Sequence, residues 1–240
     1  MPLMSTFACV ELPLLLKAKK HCSDMGDVEL CAFHPDIQRL ISLIISTHSA
    51  NRESFLRELV SNAVEALYQL WCEPVRPEQL DLYVKITADR SRSTITIEDS
   101  GIGMTKSALF QRLGSSPQRG TNSFLEAMSR PFGMDCIDAY GFFSVFLVAK
   151  TVQVVSRHSD DEQYIWESNN PAFFTLQKDT SMLQGVVPRG TKVVCYLKED
   201  QSVFLAWTRL KDLVDEYIAR ENIPLPIENL VRFEFEVVGA

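Results

Sequence analysis

The stretch ELVSNAVEAL, Glu58 to Leu67, sets two glutamates and an asparagine at helical spacing among aliphatic side chains. Extended into its flanks, the pattern predicts a helix from about Arg52 to Cys72, with Asn51 as N-cap candidate and Pro74 and Pro77 barring its continuation. Phe55, Leu59, Ala63, Leu67 and Leu70 fall on its apolar half, and Glu58, Asn62, Glu65 and Gln69 form a narrow polar stripe beside the Phe55 edge. Periodicity alone reads such a stripe as a solvated helix edge. A functional reading needs a second element facing it.

Working outward, Ile37, Leu40, Ile41 and Ile44 recur at three- and four-residue steps and predict a short buried helix over Pro35 to Ser46. After the central helix the period changes to two: Leu82, Val84 and Ile86 alternate with polar neighbours, and Ile95 and Ile97 do so again after the turn Asp89-Arg90-Ser91, which predicts an antiparallel hairpin. Residues 105–136, interrupted by Gly114, Pro117 and Gly120, read as a long mobile segment. Phe142 to Lys150 is apolar nearly all round and reads as a buried helix. Strand-like runs follow at Val152–Ser156, Tyr164–Glu167, Phe173–Leu176 and Lys192–Leu197, then an amphipathic helix from about Ser202 to Arg220 and a last alternation from Arg232 to Val237. Early helices and strands joined by short connections predict the α+β class: a two-layer arrangement with a mostly antiparallel twisted sheet covered on one face by helices. Residues 1–30 read as a mobile extension and 31–240 as one domain with a lid at about 105–136.

Composition narrows the partners. Twenty-four Lys and Arg against thirty-one Asp and Glu leave a net charge of −7, and no basic run exceeds the Lys17–Lys20 cluster, so nucleic acid is a poor partner. No window approaches the roughly 18 consecutive apolar residues of a membrane span. Six scattered cysteines without a C-x-x-C pair read as reduced thiols, and with them goes an expectation of cytoplasmic residence, an organellar paralogue being left open.

The second element is IEDSGIGM, Ile97 to Met104, which leaves a strand and enters a glycine turn. A carboxylate at the strand end can accept a hydrogen bond from an amine, and glycines remove the Cβ atoms that would hold a flat ligand off the backbone. ELVSNAVEAL precedes DSGIGM by about forty residues, and RGTKV, Arg189 to Val193, opens a late strand. In this order, together with LISLIIST (Leu40 to Thr47), NRESFLREL (Asn51 to Leu59), SVFLVA (Ser144 to Ala149), DDEQYIWES (Asp160 to Ser168) and LKEDQ (Leu197 to Gln201), the sequence resembles the amino-terminal nucleotide-binding domain of the heat-shock protein 90 chaperones. These belong to the gyrase, histidine-kinase and MutL ATPase superfamily, and the likeness covers nearly all of residues 32–230.

The resemblance implies a Bergerat-type ATP-binding fold and a set of roles. Glu58 would polarise the attacking water, and Asn62 would hold Mg2+ through its side-chain oxygen. Asp99 would accept from the exocyclic amine of adenine, Gly103 and Met104 would pass against the base, and Thr191 would support it with its hydroxyl. Ala66, Leu113 and Phe142 would line apolar walls, and Gly141 would belong to the phosphate loop. The implied ligands are ATP and ADP. The implied partners are client proteins, co-chaperones and a second copy in the full-length protein. The chain also departs from the family: where a G-x-x-G-x-G-F phosphate loop is expected it reads DAYGF, Asp138 to Phe142, two residues shorter and with one glycine for three. The lid carries Gln118 where lysine is usual, with Arg119 one residue out of register. Two outcomes follow from these departures: an ATPase whose loop re-routes, or a non-hydrolysing nucleotide sensor acting through protein contacts.

Overall fold

The computed structural model describes residues 28–46, 51–74, 81–115, 141–180, 185–220, 227 and 230–239. The elements run β1 (Val28–Ala32), α1 (Pro35–Ser46), α2 (Ser54–Cys72), β2 (Tyr83–Asp89), β3 (Thr94–Asp99) and α3 (Lys106–Phe110). A 3-10 helix (Gly141–Leu147) follows, then β4 (Ala149–Arg157), β5 (Gln163–Ser168), β6 (Phe173–Lys178) and β7 (Gly190–Leu197). A second 3-10 helix (Glu199–Leu205), α4 (Trp207–Arg220) and β8 (Arg232–Val238) complete the described part.

The strands form one eight-stranded sheet in the order β1-β6-β5-β4-β7-β3-β2-β8, antiparallel throughout except where β8 lies parallel to β2. That exception follows from topology, because the chain between β2 and β8 passes through five strands and α4 before returning. Alternate residues of β2, Val84, Ile86 and Ala88, point into the core, while Tyr83, Lys85 and Thr87 are half-buried on the opposite face. Helix α2 packs on β3, β2 and the first 3-10 helix, and α1 packs on that 3-10 helix too. The main core therefore lies between helices and one sheet face, as the α+β reading expects. On the other face, among the described residues, Val155, Ile165 and Val187 make a small buried cluster.

Four local readings need correction. Strand β1 starts at Val28, inside the segment read as extension, because Val28 to Ala32 pair with Gln177 to Phe173 of β6. Alternation over only Val28, Glu29 and Leu30 is too short to carry a local strand signal. The apolar run from Phe142 is not an α-helix: it is a 3-10 helix to Leu147, followed by a strand from Ala149, and its residues from Phe143 to Ala149 are at most 5% exposed. The expected helix from Ser202 is two pieces, broken at Ala206, whose N–H donates to Val203 at 3.3 Å. Asn51 caps the turn before α2 and not the helix itself: its Oδ1 accepts from Glu53 N at 3.1 Å, and Glu53 is the N-cap. Residues 1–27 and 116–136, and with them Asp138, Gln118 and Arg119, lie outside the described residues.

Candidate functional site

Helix α2 and the strand end of β3 meet across a cavity of about 520 Å3, the size range of small-molecule sites. Glu58, Asn62, Glu65 and Gln69, the polar stripe of α2, all line it. So does every other residue singled out for the site: Ala66, Asp99, Gly103, Met104, Leu113, Gly141, Phe142 and Thr191. Residues up to 133 positions apart in sequence (191 − 58) thus share one wall system.

Asp99 closes β3 and is 6% exposed. Its Oδ1 accepts from Gly101 N at 2.9 Å. Burial pushes its carboxyl from 3.8 up to about 7, against the opposing pull of the Gly101 and Thr191 backbone N–H groups and with a smaller push from Glu98. A carboxyl so poorly solvated gains from any donor that enters the cavity.

The glycines of the turn have a packing cause beside the one expected. A Cβ on Gly101 would stand 2.6 Å from the backbone carbon of Ala66, and Ile102 N donates to Ala66 O at 3.1 Å, so the turn is pressed against α2. Gly103 has φ +72°, and a Cβ there would lie 2.0 Å from the carbonyl oxygen of Arg157. Both glycines are required by protein packing, which holds the turn at a set distance from the helix.

Four groups that sequence reasoning passed over hold this geometry. Ser156, wholly buried on β4, accepts from Met104 N at 2.9 Å and donates to Gly190 O at 3.0 Å. Its single proton is thereby used, so in its 2.8 Å contact with Thr191 the threonine donates and keeps its lone pairs for the cavity. Arg189 Nε donates to Gly101 O at 3.2 Å, bracing the turn from β7. Gly190, at φ +115°, lets β7 pass the Asp99 carbonyl where a Cβ would come within 2.0 Å. Asp161, in the DDEQY stretch, accepts from Lys106 N at 3.0 Å at the start of α3. No periodicity marks a serine in an apolar strand as a ligand of a turn 52 residues earlier.

The donor chemistry suits a hard cation only in part. Asn62, exposed on the rim, offers one amide oxygen, and among the described residues no three His, Cys, Asp or Glu side chains gather as a metal site. Such a set fits an ion that completes its shell with ligand oxygens and water. Among the described residues no helix is long and apolar enough to cross a membrane.

A helix wall with a polar edge, a buried carboxyl at a strand end and a glycine turn clamped between them line one cavity on an antiparallel sheet. The chain belongs to the histidine kinase-, DNA gyrase B- and HSP90-like ATPase family, whose model matches residues 50–176. Within it, the chain is an Hsp90-type amino-terminal ATPase domain. It is 39% identical over 213 residues to an endoplasmin homolog of Caenorhabditis elegans, covering 84% of this chain and 26% of that protein. It is 37% identical over 221 residues to heat shock protein 90-5, chloroplastic, of Arabidopsis thaliana, covering 87% and 28%. With the chaperone protein HtpG of Shewanella halifaxensis (strain HAW-EB4) it shares 35% identity over 216 residues, covering 85% and 33%. The chain spans about a quarter to a third of the length of these relatives.

Proposed function

We propose that this domain binds ADP and ATP with Mg2+ and hydrolyses ATP slowly, as the nucleotide module of a larger chaperone. The observation that carries the reading is the meeting of the Glu58–Asn62 edge with the buried Asp99 in one cavity. Asp99 accepts the exocyclic amine of adenine, and a guanine, which lacks that amine, leaves the buried carboxyl without its donor. Ala66 stands beside the Asp99 turn, and Glu58 lies eight residues earlier on the same helix. At 1.5 Å per residue that is about 12 Å along the axis, the reach of a nucleotide from base to terminal phosphate. Gly103 and Met104 border the base, Thr191 accepts from it or from a bridging water, and Leu113, Gly141 and Phe142 enclose the remainder. Glu58 orients and deprotonates the attacking water. Asn62 holds Mg2+, which neutralises phosphate charge when bound.

In the full-length protein, nucleotide closes a lid over residues 105–136, and client proteins, co-chaperones and a second copy are the partners. Cytoplasmic residence is part of this proposal. The second reading, a sensor without turnover, is favoured by one feature, the single glycine of DAYGF. Steady-state ATP turnover by the purified chain decides between them. Slow turnover that Glu58→Ala abolishes while ADP binding persists supports the ATPase, and binding of both nucleotides without any turnover leaves the sensor.

A further inference from the structure

We propose that Gln163 is a positioning residue for adenine recognition: its side-chain amide clasps the chain ahead of β7 and so holds residues 189–191 against the glycine turn. The proposal rests on the adenine-nucleotide reading above and concerns a residue of the DDEQY stretch to which the resemblance assigns no role.

Gln163 opens β5 and is 6% exposed, so its amide must find its partners within the protein. Nε2 donates to Asp179 Oδ2 at 2.6 Å and to Gly185 O at 2.9 Å, which uses both amide protons. Oε1 accepts from Val187 N at 2.8 Å, and the backbone carbonyl of Gln163 accepts from Asp179 N at 2.9 Å. One side chain thus joins the residue that follows β6 to a stretch, 185–189, that belongs to no strand. Val187 is 3% exposed and packs with Val155 and Ile165, so the clasped stretch is also seated on the sheet.

The chain beyond Val187 is the corner that faces the base. Arg189 Nε donates to Gly101 O at 3.2 Å, and its Nη2 donates to Ser100 O at 3.4 Å. Gly190 passes the Asp99 carbonyl, and Thr191 stands opposite Asp99 in the β3–β7 register and lines the cavity. The sheet makes the same connection sideways, since Gln163 pairs with Arg157 and Arg157 with Gly190. The Arg157 carbonyl is the group that stands over Gly103. Gln163 is therefore not part of the cavity lining, yet it fixes the start of β7 against the turn that carries Asp99 and Gly103. Hydrogen bonds to a flat base weaken steeply with misalignment, so loosening this clasp costs affinity at the base end of the site. The Glu58–Asn62 edge, on α2, has no part in the clasp.

Calorimetric titration of the full chain with adenosine, ADP and GDP, all with Mg2+, tests this in wild type, Gln163→Glu, Asp179→Asn and the two changes together. Gln163→Glu keeps the size of the side chain and the acceptor for Val187 N but sets a carboxylate against Asp179. Adding Asp179→Asn restores a donor and acceptor pair with its direction reversed. The expected result in Gln163→Glu is adenosine and ADP weakened by the same factor, about tenfold, with a smaller discrimination against GDP. Asp179→Asn alone, which still offers an oxygen, weakens both less, and the exchanged pair binds adenosine within about threefold of wild type. Thermal unfolding confirms which variants are folded at the titration temperature, and if Gln163→Glu is not, the exchanged pair carries the test by itself. Wild-type affinity in a folded Gln163→Glu would overturn the proposal. A loss confined to ADP would do so too, because it places the effect at the phosphates, as would a folded exchanged pair that recovers no binding. Failure of wild type to bind adenosine and ADP alike would instead refute the adenine reading, and the proposal with it.

Discussion

Replacing Asp99 with asparagine removes one proton equilibrium and leaves the turn intact, because an amide oxygen can still accept the Gly101 N–H. The carboxyl is raised by burial from 3.8 to about 7. Between these values the folded chain holds a proton that the unfolded chain has released, so wild-type stability falls as pH rises through the window and levels off above about 7. Three units at 1.36 kcal/mol each set a ceiling of about 4 kcal/mol on the cost of keeping Asp99 ionised at pH 8. The carboxyl borders a solvent-reached cavity, which lowers the expected cost to on the order of 2 kcal/mol. Asparagine does not titrate. Urea unfolding of both chains at pH 4.5 and pH 8 should show Asp99→Asn gaining about that amount relative to wild type at the higher pH, while ADP binding is lost. A stability difference that stays constant with pH, or shrinks as pH rises, would refute the reasoning about burial.

Ser156→Ala removes the group that joins Met104, Gly190 and Thr191, and should cost about 1–3 kcal/mol in urea unfolding while weakening ADP in titration. Gly103→Ala forces a Cβ into the Arg157 carbonyl at φ +72° and should cost about 3 kcal/mol or more, seen as a lower unfolding midpoint. Gly141→Ala, at φ +49° where a Cβ would meet nothing within 4 Å among the described residues, should cost only about 1 kcal/mol by the same measurement. Glu58→Ala should leave the ADP dissociation constant within about threefold of wild type and remove turnover, because its role is reserved for the water.

Much of this site was legible because its parts are local patterns. The Glu58-Asn62-Glu65-Gln69 stripe is a helical period, and Asp99 ends a two-residue alternation before a glycine turn, so each could be placed on its element before any contact was known. What escaped was long-range. Ser156 reads as one polar residue at the end of an apolar run, and only the register of β4 against β7 sets it beside Thr191. Arg189 braces a turn 88 residues earlier, a relation no local rule contains. Gly101 and Gly103 were placed in the turn, and a second reason for glycine there was not legible, since the atoms a Cβ would meet belong to Ala66 and Arg157. Strand β1 and the parallel placement of β8 come from pairing with β6 and β2.

The most direct test of an adenine-reading site is parallel titration of the chain with ADP and GDP, in wild type and in Asp99→Asn. The account predicts that wild type binds ADP and discriminates against GDP by at least about a hundredfold, and that the variant loses ADP. Equal binding of ADP and GDP, or undiminished ADP binding by the variant, would contradict it.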